Sequence, residues 1–69
     1  MSTGICQQVG KRIRTLRQKR GWRQVDLAVA AGVGKTHISD IENGKRELGL
    51  LTLERIANAL GLPPGDLLV

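Results

Sequence analysis

Glycines at 21, 32, 34, 44, 49, 61 and 65 cut this chain into short pieces, and within each piece the apolar residues recur with a helical period. Glycine is the residue at which helices most readily stop, so the chain is confined to short helices. Cys6, Val9, Ile13 and Leu16 follow at spacings of three, four and three and make one apolar stripe on a first helix, about Cys6 to Arg20, stopped by Gly21. A second helix starts near Gln24 and turns Leu27, Ala28 and Ala31 inward. The third runs from about Lys35 to Asn43, and Gly44 is its C-terminal stop. Leu51, Leu53, Ile56, Ala57 and Leu60 mark a fourth, with Thr52 as N-cap and Gly61 as its close. Pro63 and Pro64 then break the chain, and Pro64 suits the first turn of a fifth short helix that carries Leu67 and Leu68. No segment alternates as a strand would. The expected fold is all-α, a compact five-helix bundle forming a single domain over residues 1–69.

A domain of this length covers only roughly 60% of the surface that its unfolded chain exposes, so stability should be modest and dimerisation can help. The apolar content of 41% is nearly all aliphatic, Trp22 being the one aromatic residue, which suits helices better than a sheet. One cysteine, Cys6, cannot close an internal disulfide, and this excludes a disulfide-held secreted scaffold and fits a reduced cytoplasm. The opening MSTGICQQV lacks the basic-then-apolar order of a signal peptide, and no apolar run approaches the ~18 residues of a spanning helix. A cytoplasmic protein with no membrane partner is expected.

The formal net charge is +5, and seven of the eleven basic residues, Lys11, Arg12, Arg14, Arg17, Lys19, Arg20 and Arg23, fall within thirteen positions. That density suggests a polyanion partner, although a solvated helix face would read the same way. An anionic membrane is the weaker option, because the basic helix has no Trp, Phe or broad leucine face to sink into lipid.

Between Gln24 and Gly44 the chain reads QVDLAVAAGVGKTHISDIENG. Two short helices cross tightly when a small residue sits where they touch, a glycine lets the backbone turn, and apolar residues pin the second helix to the body. Ala28, Gly32 and the Ile38/Ile41 pair meet those demands in order, which outlines a helix-turn-helix over 24–44. With Ile38 and Ile41 inward, the outer face of the second helix carries Thr36, Ser39, Asp40 and Asn43, with Lys35 at its N-terminal edge. In a helix that enters a major groove N-terminus first, Thr36 and Ser39 bond several base edges, and Lys35 donates to guanine or holds a phosphate. Asp40 has two readings: it accepts from a cytosine amino group, or it bonds Thr36 or His37 one turn back. His37 lies at the margin of the face and suits a backbone or phosphate contact. Gln24, with the free N–H groups of its helix start, suits a phosphate oxygen, as do Asn43, Lys45 and Arg46 at the other end.

GVGKT at 32–36 looks like the tail of a phosphate-binding loop, but Val29 stands where that loop needs glycine and the segment before it has a helical period. One histidine and one distant cysteine make neither a metal site nor a nucleophile–base pair. A non-enzyme is expected, without cofactor or metal.

These residues resemble the phage-repressor-like helix-turn-helix family, of the Xre, lambda and 434 repressor and Cro type, from about Val9 to Leu68. GKRIRTLRQKRGW looks like the family's first helix, RQVDLAVAAGVGKTHISDIENGKR like its helix-turn-helix, and LTLERIANALGLPPGDLL like its closing helices. The resemblance implies a sequence-specific regulator of transcription, bacterial or phage-type and nucleoid-associated, that binds double-stranded operator DNA as a twofold homodimer. It assigns base reading to Lys35, Thr36, Ser39 and Asp40 and phosphate contacts to Gln24 and Asn43, and it pairs Arg17 with Glu42. On the helical wheel Glu42 lies close to the buried edge, where a guanidinium partner makes physical sense. Three positions depart from the family. Arg23 and Gly34 stand where Ser, Thr or Asn usually precede the two helices, so Arg23 leaves a start with no side-chain acceptor and can instead reach a phosphate. Asp40 replaces a residue that is usually neutral or basic. A small repressor or controller-type protein is the first functional reading; an antitoxin that holds a protein partner and autoregulates is the other. Leu48, Leu50, Leu51, Leu62 and Leu67 exceed what one small core needs and are the expected dimer contacts, unless some of them cover Trp22.

Overall fold

The computed structural model describes residues 4–68 of the domain expected over 1–69. Four α-helices, α1 (Gly4–Lys19), α2 (Gln24–Ala31), α3 (Lys35–Glu42) and α4 (Leu50–Ala59), are followed by one 3₁₀ helix, Pro64–Leu67. No strand occurs among the described residues. α3 packs on both α1 and α2, α4 packs on α2, and the 3₁₀ turn lies against α4 and α1.

The inward stripes meet in one core. Ile13, Leu27, Ile38, Ile56 and Leu67 are fully enclosed, and Val9, Ala28, Ala31, Ile41, Leu53, Ala57 and Leu60 complete it. Ala28 is buried on the inner side of α2, and Gly32 follows with φ 70°, a left-handed conformation that lets the chain turn directly into α3. The second close approach is at Gly10, in the middle of α1. A Cβ there would run into the carbonyl oxygen of Ile41 and lie 2.9 Å from that of Glu42, so only glycine lets α1 seat the end of α3.

The structure corrects four boundaries. The fifth helix is a single 3₁₀ turn, closed by i→i+3 bonds from Asp66 N–H to the Pro63 carbonyl (3.0 Å) and from Leu68 N–H to that of Gly65 (3.1 Å). Two prolines and a glycine among the six residues from Pro63 to Leu68 leave too few good helix formers for a full α-turn. α1 begins at Gly4 rather than Cys6, and α3 ends at Glu42, with Asn43 as its C-cap. α4 begins at Leu50 with Gly49 as N-cap, so Thr52 lies inside the first turn, not before it. This last shift places Leu50 and Leu51 on an exposed helix start, 84% and 60% accessible.

The leucines named for a dimer accordingly separate. Leu67 is wholly enclosed and belongs to the core, which removes it from any interface; the 3₁₀ turn folds it back under α4 and α1. Leu48 and Leu62 are half-buried against the core. Trp22 is also half-buried, and the side chain over its ring is the Arg20 guanidinium, 4.8 Å from the centroid.

Candidate nucleic-acid interface

α3 is held from beneath by Ile38 and Ile41 and from its C-terminal end by one carboxylate. Glu42 is almost completely enclosed and accepts from Arg17 Nε (2.7 Å), Arg17 Nη2 (2.9 Å) and Gln24 Nε2 (3.1 Å). The planar guanidinium fork of Arg17 matches both carboxylate oxygens, and its remaining nitrogen, Nη1, donates to the Trp22 carbonyl at 2.8 Å. The Arg17 guanidinium is held above its ordinary range, first by the hydrogen bond to Glu42, against the opposing effect of burial. Arg17 from α1, Gln24 from the start of α2 and Glu42 from the end of α3 therefore form one buried knot. It fixes how α3 projects from the body, and no buried side-chain nitrogen or oxygen among the described residues is left without a partner.

Above this knot Lys35 and Thr36 stand exposed at the first turn of α3, Ser39 and Asp40 are half-buried one turn on, and Asn43, Lys45 and Arg46 are exposed beyond the helix end. His37 is half-buried at the margin. Gly34, in extended conformation (φ −70°, ψ 149°), precedes Lys35 and provides no side-chain cap, so the first N–H groups of α3 receive no side-chain acceptor from it. Gln24 is only partly available, because one of its amide hydrogens is committed to Glu42.

Two residues behave differently from expectation. The start of α2 is capped: Asp26, three residues on, accepts from the Arg23 backbone N–H at 2.8 Å and from its side chain at 3.2 Å. Arg23 thus holds a carboxylate in the free chain, while its side chain stays 80% accessible. The hydrogen bond from the Arg23 side chain, with that from its backbone, holds the Asp26 carboxyl below the usual carboxylate range. The signal was legible as an acidic residue at the third position of a helix, half of a capping box. Asp40 bonds neither Thr36 nor His37; its Oδ2 lies 3.5 Å from Arg46 Nη2, ahead of it in the chain.

Half of the basic run from Lys11 to Arg20 is also engaged. Arg12 Nε donates to the Asp66 carbonyl at 2.6 Å and ties α1 to the 3₁₀ turn, Arg17 is buried, and Arg20 lies over Trp22. Lys11, Arg14 and Lys19 are exposed. No three His, Cys, Asp or Glu side chains among the described residues come together to hold a metal ion, and no described helix is long and apolar enough to cross a membrane.

A helix set on a neighbour by a glycine turn, with its apolar side on the core and a polar outer face, is a helix-turn-helix in geometry. Residues 13–67 match the family model described as Helix-turn-helix. The chain belongs to the helix-turn-helix family. The control protein C.BamHI of Bacillus amyloliquefaciens is 39% identical over 99% of this chain and 85% of its own length. An HTH-type transcriptional regulator of Mycobacterium tuberculosis is 45% identical over 81% of this chain, which spans only 22% of that relative. The crystal structure of the restriction-modification controller protein C.AhdI from Aeromonas hydrophila superposes with a TM-score of 0.87 at 31% identity, covering 90% of this chain and 94% of that one. The helix-turn-helix family comprises DNA-binding regulators rather than enzymes. Accordingly GVGKT is no phosphate-binding loop in this member: Val29 lies within α2, Gly32 caps it, and Lys35 opens α3.

Proposed function

We propose that this chain is a sequence-specific double-stranded DNA-binding regulator of transcription, a small repressor or controller-type protein whose α3 enters the major groove. The observation that carries the reading is the rigid presentation of α3. Its inner face is locked by Ile38, Ile41 and the Arg17–Glu42–Gln24 knot, while Lys35, Thr36 and Ser39 project from the first two turns. Base contacts then come from Lys35, Thr36, Ser39 and Asp40. Phosphate contacts come from Arg23, Gln24, His37, Asn43, Lys45 and Arg46 at the two ends of the unit. Replacing Lys35 or Thr36 by Ala weakens binding to a selected site about 10- to 100-fold and binding to random duplex far less. Equal loss on both duplexes overturns base reading by these side chains.

The proposal includes a homodimer. Leu50 and Leu51 are exposed at the start of α4, and Leu50, Leu48, Ile5 and Leu68 line an open apolar groove of about 300 Å³ between α1, the α3–α4 connection and α4. Two exposed leucines beside such a groove are a typical association surface. A twofold dimer would carry two α3 helices to half-sites about one helical turn apart.

A further inference from the structure

Asp40 is the one acidic side chain on the outer face of α3, and the structure gives it a partner of its own chain, Arg46. Both are accessible, the Asp40 side chain by 32% and that of Arg46 by 50%, and their 3.5 Å separation is that of a loose pair. The backbone holds them in place more firmly than the charges do. Lys45 N–H donates to the Asp40 carbonyl at 2.9 Å, and Gly44 turns the chain in a left-handed conformation, so the segment after α3 folds back beside Asp40. The turn itself is fixed, because Gly44 is seated against Gln7 of α1 with no room for a side chain.

We propose that Asp40 is a specificity-determining residue that works through Arg46, as an internal competitor for the phosphate that Arg46 would otherwise hold on any duplex. The inference rests on the DNA-binding reading given above. Non-specific binding depends almost wholly on cations that neutralise phosphates and release counterions. While Asp40 holds Arg46, that cation is already neutralised, and the carboxylate itself opposes approach of the polyanion. When α3 seats fully in the groove, Arg46 exchanges Asp40 for a phosphate oxygen, and Asp40 is left as an anion among base edges. That state is tolerable only where a base presents an amino donor, the N4 group of cytosine or the N6 group of adenine. Exchange at Arg46 is thereby linked to the identity of one base pair. Loose encounters with other sequences leave the internal pair closed and lose one phosphate contact. The two readings that the sequence left open for Asp40 give way to one in which the same carboxylate opposes wrong sites and accepts from the right one.

The test uses the full chain, Asp40→Asn, Arg46→Ala and the double variant, with two probes: a duplex enriched by the wild-type chain from a random pool, and an unselected random duplex. Fluorescence anisotropy is recorded between about 50 and 200 mM salt. Asp40→Asn is expected to tighten binding to random duplex about 3- to 10-fold, to steepen the log-log salt slope by about 0.9, and to lower the ratio of selected to random affinity at least about 10-fold. In the Arg46→Ala background the same replacement gives little of that gain. Because the pair is exposed, unchanged helical circular dichroism and melting serve as the folding control. A random-duplex affinity and slope unaltered by Asp40→Asn overturn the proposal. So does an equal gain with and without Arg46, since Asp40 then acts as a bare charge. A wild-type chain that enriches no duplex refutes the DNA-binding reading itself, and the role of Asp40 with it.

Discussion

Replacing Glu42 by Ala should bring this domain to the edge of unfolding. The Glu42 side chain is 1% accessible and receives hydrogen bonds at 2.7, 2.9 and 3.1 Å from Arg17 and Gln24, so its truncation leaves the Arg17 guanidinium, 9% accessible, with only the Trp22 carbonyl. Removing one member of such a buried pair costs about 3–5 kcal/mol, because the other charge stays desolvated and unpaired. A folded chain of 69 residues at about 0.05–0.15 kcal/mol per residue has a total stability of about 3–10 kcal/mol. Loss of Glu42 therefore removes from a third to all of it, and at about 4–8 °C per kcal/mol the melting midpoint falls by at least about 12 °C. The assay is urea and thermal unfolding followed by Trp22 fluorescence and helical circular dichroism. The informative partner is the double replacement Arg17→Met, Glu42→Leu, which removes both charges and keeps the volume filled. It should recover most of the lost stability, because the cost lies in the stranded charge rather than in the absence of attraction. An Ala variant within about 1 kcal/mol of the wild type, or a double variant less stable than the single, would refute this reasoning.

Other perturbations follow from single contacts. Gly10→Ala, which in an open helix would stabilise by about 1 kcal/mol, should here destabilise by about 1–3 kcal/mol, since the new methyl meets the Ile41 and Glu42 carbonyls; thermal melts read the sign. Asp26 has a lowered folded-state pKa, so its contribution is present above the ordinary value of 3.8 and is lost as pH falls through the folded value. Asp26→Asn should flatten that acid limb of the stability profile while also losing part of the α2 cap. Leu50→Glu and Leu51→Glu should give monomers by sedimentation velocity with melting little changed, since both side chains are exposed; a dimer that survives the double replacement removes this face from the interface.

What could be read in the sequence follows from which contacts are local. Apolar periodicity located the four α-helices but made a fifth of the closing 3₁₀ turn, and the Ala28, Gly32, Ile38, Ile41 spacing located the turn between α2 and α3, because each depends on neighbours within one or two helical turns. Helix starts were less legible. Thr52 is a good capping residue, yet Gly49 caps α4, because the apolar Leu50 and Leu51 already lie in its first turn. The surplus of leucines was visible, but its division was not. Leu67 fills the core through a 3₁₀ turn whose path depends on α1 and α4, whereas Leu50 projects from a helix start. Within the site, the outward set from Lys35 to Asn43 follows from the wheel alone. The partner of Asp40 did not, because a flexible charged side chain takes its partner from wherever the backbone brings an opposite charge; that of Arg23 was legible three residues on, in Asp26. Gly10 carried a signal that went unread: a glycine inside an apolar helical stripe marks a close approach of another backbone.

If the exposed face of α3 selects DNA by sequence, the wild-type chain binds its own enriched duplex more tightly than random duplex, and that ratio of affinities can be measured. At one salt concentration near physiological, the ratio of the two affinities is expected to be at least about 10³, with both falling as salt rises. Equal affinity for the two duplexes, at any salt, would contradict such selection.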